Sequence, residues 1–239
     1  MVSNYNNFNQ LLNGRESDQE IRCSIGLAYL FFYNLLQFCG HTWIFSNMTA
    51  RFLSFGLDAL AGTFYFVGVM MSVCQLLSIL ELFHIADEIE ENRLLPRFVQ
   101  VVERNFLLFL LISQSEIQSK PIVCVLFYLW NTLGLLRYPY QLLCLISTPS
   151  FNMLWVRHTI YIPVYILSVI TEGVSILQAL PYCETQETVQ QTAPVSTYAL
   201  FPYVLMTYLP LLVAGSAVTV RILLKVRKQS LDKWKKKMI

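Results

Sequence analysis

Tyr165 and Glu172 are the residues whose types and spacing most clearly allow chemistry. They bound "YILSVITE", a stretch of otherwise apolar and small side chains. In a helix a separation of seven residues is almost two turns, so phenol and carboxyl share a face, about 10 Å apart along the axis. A carboxylate in hydrocarbon is costly and needs a reason to be there. A carboxyl and a phenol on one face can take a proton from one atom and give one to its neighbour. Pro163, two residues before Tyr165, removes a backbone hydrogen bond and bends the helix, which opens room beside the phenol. Spacing alone leaves a structural role open as well, with Glu172 a buried partner for Arg137 and Tyr165 an interfacial aromatic.

Other polar residues within apolar runs extend the pattern. "WNTLGLLRYPYQLL" carries Arg137 and Tyr138, with Pro139 as a second helix disturbance, and "VRHTIYIPVY" puts Arg157 just ahead of Tyr165. Arg93, Arg97 and Arg157 form a cationic rim that can attract phosphates. Such a rim above a buried polar pair suits a substrate with an anionic head and a greasy tail, such as a fatty acyl-CoA thioester. Glu81 and His84 form "ELFH", one Glu-x-x-His pair on one helical face. Di-iron carboxylate bundles need two such pairs, and the chain holds only three histidines, so no metal site is expected. Glu81 and His84 read instead as a hydrogen-bonded pair that can orient Arg137 or another helix. No Cys is followed six positions later by Arg, and no phosphate-cradling glycine loop is present. No cofactor is implied.

These residues must be held by elements that lipid surrounds. The chain has 239 residues, of which 55% are hydrophobic and 13% charged, about half the usual charged share of a soluble domain. A net charge of +2 is too small to point to nucleic acid. A spanning helix needs about 20 mostly apolar residues, and six segments qualify: Ser24–Phe45, Leu57–Leu80, Pro96–Ser113, Pro121–Ser147, Leu154–Leu180 and Ala199–Leu224. The expected architecture is an all-α bundle of six transmembrane helices. Residues 1–23 form a polar cytosolic N-terminus without a signal-peptide pattern, 24–224 the membrane domain, and 225–239 a basic cytosolic tail. With both termini cytosolic, 14 Lys and Arg lie on the cytosolic side against two on the other. Lys236 and Lys237, fourth and third from the C-terminus, form a di-lysine retrieval signal for the endoplasmic reticulum. The sequon at Asn47 falls in the first far-side loop as a glycosylation candidate. The six cysteines, none in a C-x-x-C pair, read as small membrane-embedded hydrophobes.

From about Ala28 to Glu184 the chain resembles the very-long-chain (3R)-3-hydroxyacyl-CoA dehydratase family, also called protein-tyrosine-phosphatase-like membrane proteins. "AYLFFYNLLQ" matches its first span through Tyr29, Tyr33 and Asn34. Leu80, Glu81 and His84 match an L-E-x-x-H motif, and Gln100 and Arg104 a Gln-x-x-x-Arg helix. Trp130, Arg137 and Tyr138 match the fourth span, and Arg157, Tyr165 and Glu172 the fifth. The resemblance implies that Tyr165 and Glu172 are catalytic. It implies removal of water from a (3R)-3-hydroxyacyl-CoA to give a trans-2-enoyl-CoA, the third step of very-long-chain fatty acid elongation in the endoplasmic reticulum. Its implied partners are the acyl-CoA substrate, membrane lipid and the condensing and reducing enzymes of the elongase. The chain departs from the pattern at Gly134, where a Glu is expected, and at His158, Ile166 and Ser168. Those departures keep a second reading alive, a non-catalytic scaffold or regulator of elongase or signalling partners.

Overall fold

Runs of apolar residues broken by proline, glycine and short polar stretches predict long helices with brief connections. The computed structural model has that form. It describes the backbone of residues 2–86, 94–113, 115–147, 150–189 and 197–238, and side chains over 26–86, 94–112, 115–147, 150–182, 203–232 and 234. Among the described residues regular structure is entirely helical: α1 (Val2–Phe55), α2 (Thr63–Leu77), α3 (Leu80–Ala86), α4 (Leu94–Ser113), α5 (Ser115–Gln118), α6 (Pro121–Ile146), α7 (Phe151–Thr159), α8 (Tyr161–Val189) and α9 (Thr197–Met238), with a short 3-10 turn at Gly56–Ala59.

Local chemistry sets the boundaries. Gly56 ends α1 with φ +57°, the left-handed conformation that a side chain disfavours. Pro121 opens α6, where its missing N–H costs nothing. The break between α7 and α8 falls at Ile160, three residues before Pro163, which has no N–H to offer the Thr159 carbonyl. Pro139 and Pro181, by contrast, lie within helices that continue past them.

Helix α6 is the central post, packing against α1 on one side and α8 on the other; α9 lies against α8 and α4. The main apolar core joins Ile44 of α1, Met71 of α2, Leu107 and Leu111 of α4, Phe127 and Trp130 of α6, Ile176 of α8 and Leu212 of α9. The outer faces are also apolar: Phe32, Tyr65, Val69, Phe109, Ile170 and Leu211 are all exposed. Polar groups turn inward, with Gln37, His41, Glu81, Arg97, Gln100, Arg137 and Glu172 all buried. An apolar exterior over a polar interior is the arrangement that lipid, not water, favours.

Four helical stretches are long and apolar enough to cross a membrane: Thr63–Ala86, Pro121–Ile146, Phe151–Tyr182 and Tyr203–Asp232. The second, fourth, fifth and sixth of the six expected spans overlap these four in order, whereas the first and third fall on α1 and α4, which do not reach the same apolarity. The physical reason is specific. Helix α4 carries Arg97, Gln100, Glu103 and Arg104, and α1 carries Asn34, Gln37 and His41. All seven point into the bundle. A second difference concerns the first connection. The chain stays helical from Phe45 to Phe55, so Asn47 stands on α1 and not in a loop. Its amide donates back to the Trp43 carbonyl at 2.8 Å.

Candidate active site

Helix α8 presents Tyr161, Tyr165, Ser168 and Glu172 at intervals of four, three and four residues, which places them on one face. That face looks inward. Tyr165 is 1% exposed and Glu172 2%. From α6, Trp130 donates its indole N–H to Glu172 Oε1 at 2.7 Å, and Ser168 donates to the same oxygen at 3.0 Å. Ser168 is one of the departures from the family pattern, and here it supplies a donor. Oε2, the other carboxylate oxygen, is buried and has no hydrogen-bond partner among the described residues.

Tyr165 Oη donates to Glu103 Oε2 of α4 at 3.4 Å. This is long for an O–H···O bond, so the phenol is held without being locked. Glu103 and Glu172 lie within electrostatic reach of each other and of Arg104. Tyr208 of α9 lies within electrostatic reach of both carboxyl groups, and the Arg104 guanidinium sits 5.8 Å from the centre of the Trp130 ring. Three further atoms in this chamber are buried without a hydrogen-bond partner among the described residues: Glu103 Oε1, Arg104 Nη2 and Tyr208 Oη. Native proteins satisfy nearly all buried polar groups. Several open ones grouped around two carboxyls and a phenol mark a place built to receive something polar.

The remaining sequence candidates form a different cluster. Glu81 Oε1 accepts from Tyr138 Oη at 2.7 Å and Tyr33 Oη at 3.2 Å. Its Oε2 lies 2.7 Å from Arg97 Nε and 2.7 Å from Arg137 Nη2. Arg137 is thus the partner of Glu81 rather than Glu172. His84 Nε2 meets Tyr29 Oη at 2.9 Å, and its ring stands edge-on to Tyr29 and Tyr33. His41 Nδ1 meets Asn131 Oδ1 at 2.8 Å while its ring stacks on Tyr138. A Cβ at Gly134 would lie 2.8 Å from that ring, so His41 fills the space a side chain at 134 would need. No group of three or more metal-ligating side chains occurs among the described residues.

Beside the Glu81 cluster lies a cavity of about 830 Å³. Arg97, Arg137 and Arg157 line it, with Gln100, Tyr161 and His158. Arg157 packs its guanidinium 4.1 Å from the Tyr161 ring centre. On its wall Tyr161 Oη donates to Gln100 Oε1 at 3.1 Å. Tyr165 and Glu103 stand one turn beyond those two residues on α8 and α4. Arg93 lies outside the described residues, as do the side chains of Lys236 and Lys237.

Glu103 and Tyr208 are the members that sequence reasoning passed over. The signal was present in "VVERNF". An acid inside an apolar segment invites the same question as Glu172, but beside Arg97 and Arg104 it reads as the polar start of a helix.

Comparison with known proteins shows the family to which the chain belongs. A model of the protein tyrosine phosphatase-like family, PTPLA, matches residues 75–233. The chain belongs to the PTPLA family. Within it, the mouse protein named very-long-chain (3R)-3-hydroxyacyl-CoA dehydratase 4 is 48% identical over 205 residues, 85% of this chain and 88% of the mouse one. Its human counterpart is 48% identical over 193 residues, 80% and 83% of the two chains. A Xenopus laevis very-long-chain (3R)-3-hydroxyacyl-CoA dehydratase is 50% identical over 205 residues, 84% and 94%. No solved structure matches the chain. The PTPLA match spans α4, α6, α7 and α8, the helices that supply Glu103, Trp130, Arg157, Tyr165 and Glu172.

Proposed function

We propose that this chain is a very-long-chain (3R)-3-hydroxyacyl-CoA dehydratase, removing water to give the trans-2-enoyl-CoA, with Tyr165 and Glu172 as its catalytic pair. The activity is that named for its relatives. The observation that carries the site assignment is the unequal treatment of Glu172's two oxygens. Trp130 and Ser168 anchor Oε1, which leaves Oε2 open beside a phenol that is a donor.

Dehydration needs a base at C2, where the thioester carbonyl acidifies the proton, and an acid at C3, because hydroxide leaves poorly. Glu172 Oε2 is the base. Tyr165 Oη is the acid, free to turn from its long bond to Glu103 toward the departing hydroxyl. Arg104, a guanidinium within electrostatic reach of both carboxyls, offsets their charge. The cavity receives the anionic head. Arg157 is its phosphate contact, and Arg97 and Arg137 stay bound to Glu81 at its wall. For the thioester to reach Tyr165, the Tyr161–Gln100 bond must open.

The proposal includes six membrane-spanning segments, with α1 and α4 spanning as inward-facing polar helices shielded by the other four. It places both termini in the cytosol, the protein in the endoplasmic reticulum and the elongase's condensing and reducing enzymes as its neighbours. To test the chemistry, Tyr165→Phe and Glu172→Gln are expressed in microsomes and enoyl-CoA is measured from a long-chain 3-hydroxyacyl-CoA. Each should lose roughly a hundredfold or more of turnover. Wild-type rates in both would exclude the mechanism.

A further inference from the structure

Glu103 has no part in the two proton transfers described above, yet the structure surrounds it with the groups that make them. Its Oε2 accepts from Tyr165 Oη at 3.4 Å, and its Oε1 is buried and open. Glu172 and Arg104 lie within its electrostatic reach. Helix α9 leaves space for it, since a Cβ on Gly215 would sit 3.5 Å from Glu103 Oε1 and 3.1 Å from Val99 Cγ1. A second acid so deep in an apolar bundle, without an ion pair among the described residues, is expensive unless it is used.

We propose that Glu103 is the relay that returns the substrate's proton from Glu172 to Tyr165, a positioning residue that acts through the phenol. The inference rests on the dehydration proposed above. In that reaction the C2–H bond breaks and its electron pair forms the new C2=C3 bond as C3–O breaks. Glu172 Oε2 takes the C2 proton, and the leaving hydroxide takes the phenolic proton and departs as water. Glu172 is then protonated and Tyr165 is a phenolate. Passage of one proton from Glu172 to Glu103, and from Glu103 to the phenolate oxygen, restores both groups. The cycle closes with no proton drawn from bulk water, which the surrounding apolar core keeps distant.

The test uses purified full-length protein in detergent, with each variant matched to wild type by size-exclusion profile and melting temperature. Glu103→Gln keeps the shape and an acceptor for Tyr165 but cannot shuttle a proton. Its kcat should fall roughly tenfold to a hundredfold with KM within about twofold of wild type. Glu103→Asp, a carboxyl one methylene shorter, should regain much of the lost kcat. Glu103→Gln at wild-type kcat, or with its loss confined to KM, overturns the relay. If Glu103→Gln does not fold, Glu103→Ala takes its place: a kcat reduced at unchanged KM and regained in Glu103→Asp supports the relay, and a wild-type kcat in Glu103→Ala overturns it. Wild-type protein that forms no enoyl-CoA overturns the reaction and the relay together. Activity in wild type, its loss in Tyr165→Phe and its retention in Glu103→Gln removes the relay only.

Discussion

Glu81 and Glu172 are withdrawn from solvent almost equally, at 1% and 2% exposure, yet their surroundings differ. Both oxygens of Glu81 are filled, by two phenols on one side and two guanidinium groups on the other. Those donors come from α1, α4 and α6, so one carboxylate ties four helices together. Glu172 has one oxygen held and the other open, beside further unpartnered polar atoms. A carboxylate with all its lone pairs occupied is a joint. One with an oxygen kept free at the expense of stability is available to a reactant. Burial alone does not separate these roles, and the count of occupied oxygens does.

This contrast can be broken at several points. The largest effect is expected at Glu81. Replacing it with alanine strands Arg97 and Arg137 inside the bundle, and losing one partner of a buried ion pair costs about 3 kcal/mol or more. Glu81→Ala should therefore lower the melting temperature sharply in detergent. Turnover per folded molecule should stay within about threefold of wild type, the opposite of the outcome at Glu172. A hundredfold loss of kcat in folded Glu81→Ala protein would erase the distinction. A smaller effect is expected at Gly134→Ala, whose added methyl meets the His41 ring at 2.8 Å. Overpacking of this kind costs about 2 kcal/mol, and the shift of His41 should appear as reduced thermal stability with KM unchanged. The smallest concerns the cavity rim. Arg157→Gln should raise KM for acyl-CoA by roughly fivefold, about 1 kcal/mol, and leave kcat and melting temperature close to wild type. An unchanged KM would move the phosphate contact elsewhere.

Much of this was legible in the sequence, for a physical reason. Helix periodicity is local, so the common face of Tyr165 and Glu172 follows from their spacing, and the apolar runs give the helices. What the runs hide is which helix faces which. Arg137 can pair with either of two acids, and only the fold, which brings Glu81 of α3 to it, assigns the pair. Glu103 is hidden for the same reason, because nothing local to "VVERNF" says that its carboxyl meets a phenol 62 positions later. The polar residues that keep α1 and α4 from reading as strong spans are those that build the interior. Helix–sequon geometry also escapes a loop-by-hydropathy reading, since α1 continues ten residues past its apolar core and carries Asn47 with it.

Little of the apolar stretch of α9 is buried, and Leu211 and Val213 are bare along its outer side. Beyond Glu172, Ile176, Ala179, Leu205 and Leu212 close the interior. On the dehydratase reading proposed above, a hydrocarbon tail passing the carboxyl meets this plug, and the bare flank of α9 is the side on which extra carbons would meet lipid.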